Sequence, residues 1–107
     1  MNMNVEQVSF ELISKAGDAF GYLVQAINYA REGEFEAANK KVSESEKVMN
    51  DAHKVQTSMI VKEAQGEKNE LSVLLVHAQD TLMNTILMLT LAKEFILLYQ
   101  RLGKEEK

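Results

Sequence analysis

The stretch Leu82-Met83-Asn84-Thr85-Ile86-Leu87-Met88-Leu89-Thr90-Leu91-Ala92-Lys93-Glu94-Phe95-Ile96-Leu97-Leu98 contains neither proline nor glycine, and its only charges are Lys93 and Glu94. At about 100° per residue, Leu82, Ile86, Leu89, Ile96, Leu97, Met88, Leu91, Phe95 and Leu98 cover almost the whole circumference of a helix. A helix that is apolar all round is expected to be buried all round. Two partner helices of the same chain cannot easily enclose a third over its full length. The stretch therefore predicts an all-α fold and an oligomer in which copies of this helix meet.

Working outward, helix 3 is expected to run from about Leu71 to Leu102, with the polar tail from Gly103 to Lys107 fraying. The segment Gln65-Gly66-Glu67-Lys68-Asn69-Glu70 before it is polar and breaks the apolar period, so it reads as a loop. Helix 2 spans about Phe35 to Ala64, with Ala38, Val42, Ser45, Val48, Met49, Ala52, Val55, Gln56 and Met59 on a narrow inward stripe. Its charged outer face, including Lys40, Lys41, Glu44, Glu46 and Lys47, reads as solvated surface. From Val5 to Arg31 the residues Val5, Val8, Leu12, Ala16, Ala19, Leu23, Ala26, Ile27 and Ala30 recur at helical steps and mark helix 1. Gly33 follows where a left-handed residue commonly ends a helix, so a tight hairpin is expected there. Gly17 and Gly21 lie inside helix 1, where they are read as permitting close helix packing. The expected fold is three long antiparallel helices, with residues 1–107 as a single domain.

Apolar residues make up 46% of the 107-residue chain and charged residues 26%, an ordinary globular composition. Twelve basic against sixteen acidic residues give a formal charge of −4, which offers no electrostatic footprint for nucleic acid or anionic lipid. With no cysteine, disulfides, thiolate metal sites and a cysteine nucleophile are excluded. The N-terminus lacks the pattern of a signal peptide, and no uninterrupted apolar run reaches the length of a membrane span. The expected location is cytoplasmic, without direct membrane insertion.

One polar interruption stands in helix 3, Val76-His77-Ala78-Gln79-Asp80-Thr81-Leu82-Met83-Asn84. With His77 at the origin, Asp80 falls near −60°, Thr81 near +40° and Asn84 near −20°, so one face gathers them. Spacing alone favours a hydrogen-bonded core histidine with Asp80 as its partner. A zinc site is a poor fit, because one chain supplies two candidate ligands where three or four are needed. His53, beside Lys54, reads as a half-exposed or packing histidine. Met59, Met83 and Met88 read as core filler. No glycine-rich phosphate loop is present, so no nucleotide site is expected.

The run Leu74-Leu75-Val76-His77-Ala78-Gln79-Asp80-Thr81-Leu82-Met83 closely resembles the active-site segment of enzyme IIA of the lactose/cellobiose (diacetylchitobiose) phosphotransferase systems, whose typical form is V-H-A-Q-D-H-L-M. Asn50-Asp51-Ala52-His53-Lys54-Val55-Gln56-Thr57 resembles that family's A-H-x-x-Q-T segment, and Ala37-Ala38 after Gly33 matches the start of its helix 2. The resemblance extends from about Val5 to Leu102. It implies a homotrimer, a nine-helix bundle of three-helix subunits, acting as a phosphotransferase component in sugar uptake. By position it makes His77 the phosphorylated residue, a tele-phosphohistidine intermediate. Asp80 becomes the aspartate that holds a shared metal, Mg²⁺, one per trimer. The implied donor is the histidine phosphocarrier protein, and the implied acceptor is a cysteine of the cognate IIB component. Thr81 stands where the family often has a second histidine, and no catalytic role is assigned to it.

Neutral imidazole suits such a relay because it is nucleophilic near neutral pH and readily gives the group up again. Three Asp80 carboxylates on a trimer axis would repel, so a hard oxygen-seeking cation or a shared proton is required to neutralise them. A different class of function, a non-enzymatic trimeric helical adaptor or regulatory module, accounts equally well for the hydrophobicity of helix 3. It leaves the His-Ala-Gln-Asp interruption unexplained. The transported sugar is not legible in these residues.

Overall fold

Two glycines and a serine set the helix boundaries. The computed structural model describes residues 5–67 and 72–105. Helix α1 (Val5–Arg31) stops at Gly33, which takes a φ of 81° open to few other residues. There the Gly33 N–H donates to the Ala30 carbonyl at 3.0 Å and the Glu34 N–H to the Tyr29 carbonyl at 2.9 Å, the paired bonds of a Schellman stop. Helix α2 (Phe35–Ala64) ends in the same way, with Gly66 at φ 94° and the Gly66 and Glu67 N–H groups on the carbonyls of Glu63 and Lys62, each at 3.0 Å. Helix α3 (Val73–Glu105) begins at Ser72, whose hydroxyl accepts the Leu75 N–H at 3.0 Å and whose carbonyl accepts the Val76 N–H at 3.0 Å.

The helices pack up, down and up, with α1 against both partners and a slighter contact between α2 and α3. Side-chain hydroxyls record the register. The Ser45 hydroxyl of α2 donates to the Ala19 carbonyl of α1 at 3.2 Å, and the Thr85 hydroxyl of α3 lies 3.3 Å from the Ala16 carbonyl. One core tier joins Val8, Leu12, Ala16 and Ala19 to Met49, Ala52, Met59, Leu75, Ala78 and Leu82. A second joins Leu23, Ala26 and Ala30 to Ala38, Val42, Ala92 and Ile96. The numbers rise together along α1 and α3 and fall along α2, so α1 and α3 run parallel. The rod measures 59 × 22 × 20 Å.

Several expectations change. Gly17 and Gly21 do not mediate packing within the chain: both lie on the outer face of α1, and an added Cβ would meet nothing within 4 Å. Helix α3 continues through Gly103 to Glu105 rather than fraying, because Gly103 adopts no positive φ and so imposes no stop. The expected start at Leu71, the Lys68–Glu70 part of the loop and the last two residues of the tail lie outside the described residues, as do residues 1–4. Within one chain α3 is not buried all round. Its inner flank is closed by Leu75, Ala78, Leu82, Thr85, Ala92 and Ile96, while its outer flank is open. Met83 belongs to that open flank, whereas Met59 is buried and Met88 half-buried.

Candidate functional site

The open flank of α3 is a largely apolar stripe with the Asp80 carboxylate at its centre and the Glu94 carboxylate further along it. Val73, Val76, Met83, Leu87, Leu91, Leu98 and Leu102 are all exposed, and all fall within about 60° of Asp80 around the helix axis. Their spacing is mainly three and four residues, the pattern of a helix seam. Taken alone, Val73–Lys104 is long and apolar enough to cross a membrane, with a mean hydropathy of 1.5 over its most apolar 18 residues. Its apolar surface is nevertheless divided between an inner flank packed on α1 and α2 and this outward stripe, and the stripe is interrupted by Asp80, Asn84, Glu94 and Arg101.

His77 lies at the margin of the stripe and is exposed, as are Asp80 and Asn84; Thr81 is half-buried. The face predicted from spacing is therefore present. The core histidine paired with Asp80 is not, because no hydrogen bond or ion pair joins the two among the described residues. Thr81 Oγ1 donates to the His77 carbonyl at 2.9 Å, so its proton is committed to its own helix. Gln79, on the inner side of the same turn, accepts a hydrogen bond from the Gln56 amide of α2 and ties the two helices together at this level. His53 is exposed on α2.

Ser72 is the site residue that the sequence reading missed. A serine immediately before an apolar run is a capping signal, and here it fixes the start of α3 four residues before Val76 and five before His77. Helical Cα–Cβ bonds tilt toward the N-terminus, so the His77 ring leans toward this capped end. The end carries the positive pole of the helix dipole, and no acidic residue occupies its first turn. The helix dipole favours a negative group carried on the ring, and the exposed Asp80 carboxylate on the same face opposes it.

Among the described residues no group of three or more histidine, cysteine, aspartate or glutamate side chains is placed to hold a metal. On the turns of α3 that bear His77, Asp80 is the one carboxylate among the described residues, so a cation fits there only where several chains bring their Asp80 carboxylates together. Two clefts among the described residues lie away from His77: one is lined by Gly33, Phe35 and Lys40, another by Gly33, Gln100 and Lys104. They sit at the far end of the rod, about 40 Å along α3 from His77. His77 is exposed on the outer flank of α3, accessible to another protein.

A family model described as "PTS system, Lactose/Cellobiose specific IIA subunit" matches residues 7–100. The lactose-specific EIIA component of Streptococcus mutans is 47% identical over 102 residues, covering 92% of this chain and 98% of that one. The cellobiose-specific enzyme IIA of Bacillus anthracis superposes with a TM-score of 0.92 at 42% identity, covering 97% of this chain and 95% of that one. The IIA(Chitobiose) protein of Escherichia coli, solved in complex with HPr, gives a TM-score of 0.81 at 35% identity, covering 95% of this chain and 99% of that one. The chain belongs to the lactose/cellobiose-specific IIA family of the phosphotransferase system, whose role is phosphoryl transfer in sugar transport.

Proposed function

We propose that His77 is the phosphoryl carrier and that the protein works as a cytoplasmic homotrimer between the histidine phosphocarrier protein and a cognate IIB component. The observation that carries this reading is the placement of His77: exposed, in the family's motif, one turn beyond a capped helix start with no competing carboxylate in the first turn. The nucleophile is Nε2. Its lone pair forms the new N–P bond as the donor's N–P bond breaks, and the donor imidazole keeps that electron pair. In the second step a IIB thiolate attacks phosphorus, and the electron pair of the P–N bond returns to His77. Positioning and electrostatics carry such transfers, and the α3 N-terminus contributes part of the electrostatics. The relative solved with HPr supports the donor assignment.

The trimer reading rests on the exposed stripe and on the family resemblance. Counting Leu97 and Phe95 at its edges, the apolar arc spans about 160°, wider than the narrow seam of a two-stranded coiled coil. Parallel contact of three such stripes would give nine helices and bring three Asp80 carboxylates to the axis. A bound Mg²⁺ would supply positive charge to offset their repulsion. In this reading Asp80 secures the assembly and takes no part in the transfer.

The test is intact mass spectrometry after incubation with phosphoenolpyruvate, enzyme I and the phosphocarrier protein. One acid-labile phosphoryl group is expected on wild type and on His53→Ala, and none on His77→Ala. Absence of the group from wild type would shift the reading to a helical adaptor or regulatory module.

A further inference from the structure

We propose that Thr85 is a positioning residue for His77, acting through Thr81 and anchored on α1. This rests on the reading that His77 carries the phosphoryl group. Thr85 is 1% exposed and is one of only three buried polar residues described, with Ser9 and Ser45. Its hydroxyl donates to the Thr81 carbonyl at 2.8 Å and lies 3.3 Å from the Ala16 carbonyl of α1, a second acceptor for the same proton. One turn closer to the site, Thr81 Oγ1 repeats the bond on the His77 carbonyl at 2.9 Å. A ladder of hydroxyls therefore runs from a backbone atom of α1 through two turns of α3 to the peptide that carries the imidazole.

The α1–α3 contact around this ladder is lined by Ala16, Ala19 and Ala78, each fully buried. Methyl groups give close approach but little resistance to axial sliding or rotation, whereas a hydrogen bond is directional. A hydroxyl that bonds back onto its own helix also adjusts the local bend of that helix. Between the cap at Ser72 and the clasp at Thr85, the turn bearing His77 is held at both ends. The cap fixes where the helix starts, and the clasp fixes how that segment sits on α1. Transfer in line between two protein-bound atoms is sensitive to such placement: a misplacement of about 1 Å costs on the order of a hundredfold.

Three variants test the assignment. Thr85→Val keeps the shape and removes the hydroxyl, Thr85→Ser restores it, and Ser45→Ala removes the comparable α2–α1 clasp from a helix that does not carry His77. Each is assayed for the rate of phosphoryl transfer from the phosphorylated phosphocarrier protein, for thermal stability, and for amide exchange over residues 76–85 in the unphosphorylated protein. Thr85→Val is expected to lower kcat about tenfold or more with KM for the donor protein within about twofold, and to speed exchange at residues 76–81. Thr85→Ser recovers both, and Ser45→Ala lowers stability without slowing transfer. Transfer by Thr85→Val at the wild-type rate would overturn the proposal. So would equal slowing by Thr85→Val and Ser45→Ala in step with lost stability. Failure of the wild-type control to accept a phosphoryl group on His77 would instead remove the underlying reading, and the positioning role with it.

Discussion

Truncating Leu87 separates assembly from folding. The side chain is 58% exposed, belongs to neither core tier, and lies about 20° from Asp80 around α3. Full burial of a leucine side chain is worth about 1.5–3 kcal/mol. Burying the exposed share in a seam therefore gains roughly 1–2 kcal/mol per chain, or about 3–5 kcal/mol over three chains. At about 1.4 kcal/mol per tenfold, Leu87→Ala is expected to weaken trimer association by roughly two to four orders of magnitude. Sedimentation equilibrium across a dilution series measures the change, and circular dichroism under the same conditions should show the helical signal retained. A wild-type trimer whose dissociation constant is unchanged in Leu87→Ala would refute the assignment of the stripe as the seam. Helical signal lost together with the trimer would show that the chain does not fold without its copies.

Other substitutions probe other links in the argument. Asp80→Leu is expected to abolish metal binding, read by elemental analysis of purified trimer, and to make assembly insensitive to chelators because leucine completes the apolar stripe; a metal content equal to wild type would sink the ligand assignment. Ser72→Ala removes the cap of α3 and is expected to cost about 1 kcal/mol in chemical denaturation, with faster amide exchange confined to the first turns before His77; unchanged exchange there would show that the cap does not hold the site. Gly17→Ala, on an outer helix face with nothing within 4 Å of the new methyl, is expected to stabilise the fold by up to about 1 kcal/mol, measured by thermal denaturation. A loss of stability would indicate that this face is covered in the assembly.

Periodicity made the helices legible because each inward stripe is an uninterrupted physical requirement. Ala38, Val42, Ser45, Met49, Ala52 and Met59 are all buried, as the step of three and four demands. Gly33 was legible as a stop and Gly66 as part of a loop for a different reason, and in the structure each adopts a φ that other residues resist. Gly103 shows the limit of that inference: a glycine permits a stop without imposing one, and the helix runs through it. The outward placement of Gly17 and Gly21 was not legible, because a residue without a side chain leaves no hydrophobic signal to assign it to a face. At the site, the angular grouping of His77, Asp80 and Asn84 followed from helix geometry, but their exposure did not. An apolar helix looks equally buried in sequence whether its partners come from its own chain or from another. The Thr81–Thr85 ladder was hidden for a related reason, since a threonine in an apolar run does not reveal which carbonyl its hydroxyl finds.

The alanine-lined middle of the bundle bears on what the protein is able to sense. Where Ala16, Ala19, Ala52 and Ala78 bring three backbones together, methyl groups occupy the space that a guest molecule would need. In the proposed relay, a phosphoryl group on exposed His77 would be handled at the surface, away from this closed interior. Selection among transport systems then falls to the contours met by a docking protein. Relatives serving different sugars can share one interior while diverging on their skins.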